Sequence, residues 1–375
     1  MPVEIRETPI GGKLNDFLNV VDYIYRGDPH YVRPLDMELK DRLSLKNPYF
    51  EHADGVIFTA HRNGWCVGRI TAQIDRLHLA RYQDDVGGFG FLDTIDDEEV
   101  AKALLEAASR WLRARGMKRI RGPLSLSTNE EIGCLVDGFD TPPMIMMPHH
   151  RPYQGSLVEK AGFEKLKDAY AWSYKVGDVP PRVRKAHDDF DAMPEVKSRH
   201  VDMKNLDADL RIIMEVYNDA WNDNWGFVAQ TERELSKMAA DLKLFAIPEL
   251  SYITEIDGEP AAVALALPNL NELIADMNGK LGPLGLPKLL WRLKVVGPHT
   301  ARLIILGIRK KFRGHRKYAA LSAYLYAKMN AAGKRLGIGS GELSWTLEDN
   351  APVNTGIKLM GGKIYKTYRL YEKAL

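Results

Sequence analysis

The segment 306–321 reads LGIRKKFRGHRKYAAL and joins two different hydrophobic patterns. The preceding apolar run, Arg302–Leu306, is typical of a buried strand, and from Tyr318 to Leu336 apolar residues recur with helical spacing. A helix N-terminus offers unpaired N–H groups and a partial positive charge, so a basic turn at this point indicates a phosphate site. A solvated basic loop is the alternative. The basic side chains of the turn are Arg309, Lys310, Lys311, Arg313, Arg316 and Lys317.

The order of elements around this segment occurs twice in the chain. Each half has a helix and then a hairpin, which turns at Asn63 and Gly64 in the first half and at Asp257 and Gly258 in the second. Such pairs between strand-like runs are hairpin signals. A strand, helix, strand, helix and strand complete each half. We therefore predict an α/β fold with mixed α+β sheets in two tandem domains, 1–175 and 199–375, joined by a polar linker at 176–198.

The bulk composition narrows the class of protein. The 375 residues carry a formal net charge of +2, which does not indicate a nucleic-acid-binding protein. The two cysteines, Cys66 and Cys134, lie too far apart for a zinc or redox motif, so no metal is expected. No apolar run is long enough for a membrane span, and the first residues do not resemble a signal peptide. We expect a cytoplasmic protein, with contact to the inner membrane surface left open.

The strand, basic turn and helix resemble the signature of the GCN5-related N-acyltransferase (GNAT) superfamily. In that family the backbone amides of a Q/R-x-x-G-x-G/A motif hold the diphosphate of coenzyme A. The motif aligns from Arg313, and Arg316 and Tyr318 replace its two glycines. The resemblance implies acyl-CoA as co-substrate. The residues it suggests for binding the donor are Leu306, Ile308, Arg313, Gly314, His315, Arg316, Lys317, Tyr318 and Asn350.

The flanking sequence extends this likeness and also limits it. SWTLEDN (344–350), Asn354 and the glycines 361–362 resemble the fifth strand of the family and the helix after it. The tyrosine that often protonates the leaving thiolate in this family would fall near Ile357 or Lys358, and neither is a tyrosine. In the first half the matching junction, 92–99, is acidic and would repel a diphosphate. We therefore predict that the first domain is degenerate and lacks the cofactor loop, as in other two-domain relatives such as the Fem-type aminoacyl transferases.

Two segments indicate a lipid acceptor. The insertion 281–297 interleaves leucines and Trp291 with basic residues, as an interfacial helix does, although packing on the core is equally compatible. The loop 142–153 is rich in methionine, which suits an irregular apolar pocket or a core. Five motifs carry a more specific likeness: NPYFEH (47–52), VDGFDTPP (136–143), MPHH (147–150), NDNWGF (222–227) and SWTLEDN (344–350). With them the chain resembles the bacterial ceramide synthase group. This resemblance implies N-acylation of a sphingoid base by a long-chain acyl-CoA.

Amide formation needs a neutral amine, and therefore a group that accepts its proton. The candidates are His149, His150 and Glu348, each of which also has a purely structural interpretation. We expect a backbone N–H of the strand that ends at Ile308 to face the thioester oxyanion. Two other functions stay open: a transferase that acts on a small polar amine or on peptidoglycan, and a non-enzymatic acyl-CoA or lipid carrier. The residues expected to contact the acceptor are Asn224, Trp225, Met146, Met147 and Trp291.

Overall fold

A computed structural model describes residues 2–375, apart from the side chain of Leu242. The chain divides into two compact units. Unit 1 comprises residues up to 170 together with 274–285 and 366–375, and unit 2 comprises 171–273 and 286–365. Each unit therefore takes a piece of chain from beyond its own half.

The chain up to residue 175 carries nine strands and five helices within the described residues. A short 3-10 helix, Pro48–Glu51, precedes the first hairpin. The strands are β1 (Glu4–Pro9), β2 (Ala53–Arg62), β3 (Trp65–Asp75), β4 (Val86–Thr94), β5 (Arg119–Gly122), β6 (Leu124–Ser125), β7 (Glu131–Ile132), β8 (Cys134–Asp137) and β9 (Glu164–Lys175). The helices are α1 (Asn15–Ile24), α2 (Asp36–Arg42), α3 (Arg76–Tyr82), α4 (Glu98–Arg113) and α5 (Gln154–Lys160).

The rest of the chain repeats this alternation. A π-helical turn, Arg292–Val296, continues the tenth helix, and 3-10 turns lie at Pro248–Leu250 and Arg316–Tyr318. The strands are β10 (Val196–Arg199), β11 (Ser251–Ile256), β12 (Glu259–Pro268), β13 (Thr300–Ile308), β14 (Ser340–Leu347) and β15 (Lys363–Ala374). The helices are α6 (Pro181–Asp191), α7 (Leu206–Trp221), α8 (Glu232–Phe245), α9 (Leu270–Ile274), α10 (Gly285–Trp291), α11 (Lys310–Arg313), α12 (Leu321–Arg335) and α13 (Ala351–Leu359).

Unit 1 is built on a sheet with the strand order β1-β2-β3-β4-β5-β15, in which only β4 and β5 are parallel. The β2–β3 turn is the predicted one, because Asn63 and Gly64 both have positive φ, 55° and 79°. The apolar face of α4 covers this sheet. Leu104 and Leu112 of that helix are fully buried and join Ile70 and Phe89 in the core.

Unit 2 has the same kind of sheet, in the order β14-β13-β12-β11-β10, with β13 and β14 parallel. Helices cover both faces. Leu321 and Leu325 of α12 pack in one apolar cluster, and Ile213 and Val216 of α7 pack in another with Val263. A strand buried on both faces reads as an apolar run, which explains the composition of β13.

The segment 176–198, expected to be a linker, is ordered structure in unit 2. It contains α6, whose Val183, Ala186 and Phe190 are buried. Phe190 stacks on Tyr324 of α12, with ring centroids 5.2 Å apart. The i, i+3, i+7 spacing of these three residues gives α6 a narrow apolar stripe. Pro180 and many charged residues nearby make the same stretch look like a loop in the sequence.

Candidate active site

The parallel strands of unit 2 pair only at their beginnings. Their register covers Thr300–Arg302 against Ser340–Glu342, although β13 continues to Ile308 and β14 to Leu347. A side chain at Gly341 would place its Cβ 2.4 Å from the carbonyl oxygen of Ala301, so the close approach here requires glycine. Beyond this point the strands separate. We call this opening the unit 2 fork.

The fork leaves part of the β13 backbone unpaired. No side chain among the described residues bonds to the backbone of β13 between Leu303 and Ile308. The register with β12 slips after Leu265, so that Ile304 forms a bulge in β13. Leu306 and Ile308, expected to contact the donor, lie half-buried on this stretch. An exposed strand edge of this kind can pair with the amide groups of an extended ligand.

A buried ion pair lies at the base of the fork. Arg302 and Glu342 form the last paired position of the two strands, and Arg302 Nε lies 2.5 Å from Glu342 Oε1. The Tyr365 hydroxyl donates to the other carboxylate oxygen at 2.6 Å. Breaking a buried pair of this type costs much more than an exposed one. The pair therefore fixes the position at which the strands separate.

A second polar network holds the junction of β14 and α13. Trp172 Nε1 donates to Thr346 Oγ1 at 2.7 Å, and Thr346 contacts Asn354 Oδ1 at 2.5 Å. Asn354 Nδ2 in turn donates to the carbonyl oxygen of Leu347 at 3.0 Å. Glu348 follows directly, and Asn350 begins α13 without a side-chain capping bond. The predicted donor residue Asn350 and the predicted base Glu348 thus lie where β14 ends.

The basic turn after β13 is less positively charged than the sequence suggests. Lys310 Nζ lies 2.6 Å from Asp223, and Lys317 Nζ lies 2.5 Å from Glu195. Glu259 accepts from Arg309 at 3.4 Å and also pairs with Lys311. These carboxylates come from three other parts of unit 2. Their contact with the turn could not be predicted from the local sequence.

The remaining residues of the turn keep features of an anion site. Arg313 Nη2 donates to the Ala220 carbonyl at 2.8 Å, and Arg316 is exposed with no partner among residues 2–375. Gly314 has open space where a Cβ would lie. His315 Nδ1 accepts from the backbone N–H of Lys317 at 3.3 Å. The turn thus retains two arginines that no carboxylate of the described residues neutralises.

Tyr318, which replaces a motif glycine, does not fill the turn. Its buried ring packs against Phe312, with centroids 5.8 Å apart, and both belong to the core of unit 2. The helix α12 begins at Leu321 and not near Tyr318 as expected, because residues 316–318 form a 3-10 turn. Since the Tyr318 side chain is directed inward, the outer side of the turn stays open to a ligand.

The loop after α7 lies beside this turn. Asp219 of α7 accepts from the backbone N–H of Lys310 at 2.6 Å, in addition to the Lys310 contact with Asp223. Asn224 and Trp225, expected to bind the acceptor, follow at once and are half-buried. The structure therefore brings the predicted donor turn and the predicted acceptor loop together within unit 2.

Unit 1 has an equivalent fork, but its own side chains fill it. The parallel pairing covers only Val86–Gly88 against Arg119–Arg121. The Thr94 N–H of β4 then donates to Gln154 Oε1 at 3.3 Å, and the Tyr153 hydroxyl donates to the Thr94 carbonyl at 2.8 Å. At Gly90 a Cβ would lie 2.0 Å from the Leu124 carbonyl oxygen. Residues of unit 1 thus occupy the edge of β4 at Gly90 and at Thr94.

The two predicted histidines lie in unit 1 and are buried. His150 Nδ1 accepts from the backbone N–H of Leu135 at 3.1 Å, and burial lowers its pKa to about 4. Its basic lone pair is therefore occupied, which favours a structural role. His149 Nε2 lies 3.1 Å from Asp28 Oδ2, and burial lowers the pKa of His149 despite that carboxylate. If the Nε2 proton is donated to Asp28, the free lone pair is on Nδ1, which has no partner among the described residues.

The other predicted acceptor residues are dispersed. Met147 is buried in unit 1, and Met146 is partly exposed with a φ of 60°. Trp291 of α10 is 56% exposed, while Leu289 and Leu293 anchor the same helical stretch. Its neighbours Lys288 and Lys294 are exposed as well. No helix within residues 2–375 combines the length and apolarity needed to cross a bilayer.

Sequence reasoning missed the ion pair Arg302–Glu342 and the partners of the basic turn. The ion pair had a signal in the sequence, because Arg302 and Glu342 each stand as a charged residue in an otherwise uncharged strand. When two such strands are expected to be parallel neighbours, opposite charges at matching positions predict a buried pair. The partners of the turn gave no comparable signal, because Glu195, Asp223 and Glu259 lie in ordinary polar segments.

No family model matches the sequence. Over 371 residues the chain is 42% identical to the bacterial ceramide synthase of Caulobacter vibrioides, covering 97% of this chain and 95% of that protein. Protein YghO of Escherichia coli is 40% identical over 364 residues, covering 96% and 93%. The chain belongs to the family of these two proteins. The resemblance predicted from the motifs is thereby confirmed.

Solved structures confirm the predicted fold of this family member. A tandem GNAT protein from the clavulanic acid biosynthesis pathway superposes with a TM-score of 0.60, covering 99% of this chain and 98% of that one at 11% identity. A GCN5-related N-acetyltransferase from Sphaerobacter thermophilus gives a TM-score of 0.55, covering 99% and 95% at 12% identity. The family member is thus a tandem α/β protein of the GNAT N-acyltransferase fold.

Proposed function

We propose that this protein transfers an acyl group from acyl-CoA to the amine of a lipid, such as a sphingoid base. The observation that carries the proposal is the open unit 2 fork, in which β13 leads to a turn with two arginines, Arg313 and Arg316, that pair with no carboxylate among the described residues. Acyl-CoA, when bound, would supply the acyl group as a thioester. The name of the Caulobacter relative supports a long-chain amine as acceptor.

The residues of unit 2 fit the donor in three respects. The bulged edge of β13 offers backbone N–H and C=O groups to the amides of the pantetheine arm, and an N–H near Ile308 would face the thioester oxygen. Arg313, Gly314 and Arg316 would hold the diphosphate. Asn350, at the end of β14, would orient the arm by hydrogen bonds. Together these features support a donor site in unit 2.

The proton of the amine needs an acceptor, for which we propose Glu348 or His149. Glu348 lies in the same unit as the open fork. In His149, donation of the Nε2 proton to Asp28 would leave Nδ1 as the accepting atom of a base. The variants Glu348→Gln and His149→Asn distinguish them, because loss of the base lowers kcat and removes the rise of rate with pH on the acidic side of the profile, while the other variant keeps both. Wild-type rates for both variants would reject both candidates.

The decisive assay uses purified protein, palmitoyl-CoA and a set of amines. Release of free coenzyme A is followed with a thiol reagent, and the amide product by mass spectrometry. We expect turnover with sphinganine or 3-ketosphinganine and little with glucosamine or a peptidoglycan peptide. Turnover with the polar amines alone would contradict the lipid acceptor, and binding of palmitoyl-CoA without release of coenzyme A would favour a carrier.

A lipid acceptor also requires access to a membrane surface, and we propose that α10 and the π-helical turn after it provide it. Trp291, Val295 and Val296 are exposed there beside Lys288 and Lys294. Apolar and basic residues on one short helical surface suit an anionic bilayer. Trp291→Ala should reduce co-sedimentation with phosphatidylglycerol vesicles. The control is Trp65→Ala, at a tryptophan that is 79% exposed in unit 1; equal losses in both variants would contradict the assignment.

A further inference from the structure

The strand β1 stands at one end of the strand order of unit 1, and its outer edge is open. It pairs with β2 from Glu4 to Pro9. Outside that pairing, no hydrogen bond within the described part of the chain reaches the backbone of residues 4–8. Alternate residues of an edge strand direct their N–H and C=O groups away from the sheet. The edge of β1 therefore has main-chain groups for one more strand.

A groove of about 360 Å³ follows this edge on the side of the sheet that α4 covers. Successive side chains of a strand point to opposite faces, so Glu4 and Arg6 lie on the face of β1 away from the groove. The strand thus combines a charged face with a largely apolar one. The residues that line the groove are Ile5, Glu7, Phe58, Ala107, Arg110 and Trp111.

The charges of β1 exclude most symmetric pairings of the strand with a second copy of itself. Two identical strands that pair antiparallel about a two-fold axis place one residue opposite its own copy. An axis at Glu4, Arg6 or Glu7 brings like charges together, which is unfavourable. An axis at Thr8 puts Pro9, which has no N–H, into the ladder.

The register with its axis at Ile5 is different. It places Glu4 of each copy opposite Arg6 of the other, so that four charges alternate in sign around the axis. On the groove side it brings the two Ile5 side chains together and sets Val3 of one copy opposite Glu7 of the other. The edge is therefore complementary to itself in this register.

We propose that β1 is a dimer interface, at which two copies of this chain join their unit 1 sheets antiparallel about an axis at Ile5. Main-chain hydrogen bonds supply affinity, and the charge pairs select the register. Within one chain Arg6 Nε lies 2.7 Å from Glu4 Oε1, and both side chains are about half exposed. An exposed pair of this kind is weak, so its members can exchange it for the pairs between copies.

Reversal of charge tests the pairing. Arg6→Glu creates two contacts between like charges and should raise the dimer dissociation constant by about ten- to hundredfold, measured by sedimentation velocity over a concentration series. Glu4→Arg combined with Arg6→Glu restores both pairs with opposite sign and should recover the wild-type value. The control is Lys185→Glu, which reverses one charge of an exposed ion pair on α6 and should dimerise as the wild type does.

A disulfide tests the register itself. Ile5→Cys places two thiols opposite each other at the axis, near the Cβ separation that a disulfide accepts. The two Glu7 positions would lie four residues apart along the strands, roughly 14 Å. Mild oxidation should therefore give a covalent dimer with Ile5→Cys and not with Glu7→Cys. The wild type is the blank, since its Cys66 is half-buried and its Cys134 buried.

Each result decides for or against the interface. A wild type that stays monomeric throughout the series, or a dimer that Arg6→Glu leaves intact, would overturn the inference. A double variant that does not recover, or covalent dimers from Glu7→Cys in place of Ile5→Cys, would refute the register with its axis at Ile5. Thermal denaturation verifies that every variant is folded, and none of these outcomes bears on the proposed function.

Discussion

The two units open the same kind of fork and use it differently. In each, the parallel strands pair over three residues and the first strand is then irregular, with a bulge at Ile304 in unit 2 and a φ of 48° at Phe91 in unit 1. In unit 1 the side chains of Tyr153 and Gln154 satisfy the end of β4. In unit 2 the corresponding edge of β13 has no such side-chain partners in the part of the chain that the structure describes. The open edge of β13, and not the backbone fold that the units share, is therefore the basis of our proposal for the donor site.

The helices that follow the two forks, α4 and α12, also differ in the charged residues at their N-termini. In unit 1 Asp97 caps α4 by accepting from the Val100 N–H at 3.1 Å, and Arg62 binds Asp97 and Glu99. The positive end of that helix is thus already satisfied by carboxylates. In unit 2 Arg313 and Arg316 precede α12, and Ala320 offers no side-chain cap. The start of the helix is thus flanked by carboxylates in unit 1 and by arginines in unit 2, which favours our proposal of an anion site in unit 2 only.

The largest expected effect comes from the base of the open fork. Glu342→Gln should lower the free energy of unfolding by about 3–5 kcal/mol, because it removes the negative charge from a buried ion pair. Urea denaturation followed by circular dichroism measures this change. Replacing both residues by methionine should recover most of the loss. A cost below about 1 kcal/mol for Glu342→Gln would mean that the pair does not hold the strands together.

The stability of unit 1, whose fork is occupied by its own residues, should fall in acid because of His150. Its folded pKa of about 4 lies below the unfolded value, so stability is present above pH 6.5 and is lost as the pH falls toward 4. The full loss is about 3 kcal/mol. His150→Asn keeps an acceptor for the Leu135 N–H and should flatten the dependence of Tm on pH in this range. The control is His299→Asn, at an exposed histidine of unit 2. An unchanged slope in His150→Asn would contradict the account.

A glycine-to-alanine substitution compares the crowding at the fork of unit 1 with that at the basic turn of unit 2. Gly90→Ala should cost about 1–3 kcal/mol or more, because the new Cβ meets the backbone of Leu124. Gly314→Ala, in the donor turn, has open space around it and should leave stability nearly unchanged. Thermal denaturation of the two variants checks this. Equal Tm values for Gly90→Ala and wild type would mean that the unit 1 fork is not closed.

The smallest effect concerns the unpaired arginine of the turn. Arg316→Gln should weaken coenzyme A binding by roughly three- to tenfold, since it removes one charge at the diphosphate. Arg335→Gln makes the same change at the other end of α12 and should leave affinity unaltered. Titration calorimetry in low salt measures both. Equal affinities in the two variants would place the diphosphate elsewhere.

Much of the fold could be predicted because local signals agree with it. Asn63 and Gly64 specify one turn, Asp257 and Gly258 the other, and the apolar run of β13 marks a strand buried on both faces. The helix α6 was missed because its apolar stripe has only three residues amid charged neighbours. The exchange of chain between the units was also beyond prediction, since pairing of β15 with β5 joins residues that are about 250 positions apart.

The candidate site was predictable in its position but not in its charge. The motif around Arg313 and Gly314 identified the turn, because a basic segment between a strand and a helix is a local pattern. Its neutralisation by Glu195, Asp223 and Glu259 depends on tertiary contacts that no local pattern encodes. The inward orientation of Tyr318 is likewise a property of the packed core, so the replaced glycine looked more disruptive than it is.

The central claim is that one fork, that of unit 2, holds the thioester donor. Titration calorimetry with palmitoyl-CoA below its critical micelle concentration tests it directly, because it returns the number of sites per chain. We expect one site per chain, weakened by Arg316→Gln and unaffected by Gly90→Ala in protein that remains folded. No measurable binding, or two equivalent sites per chain, would contradict the account.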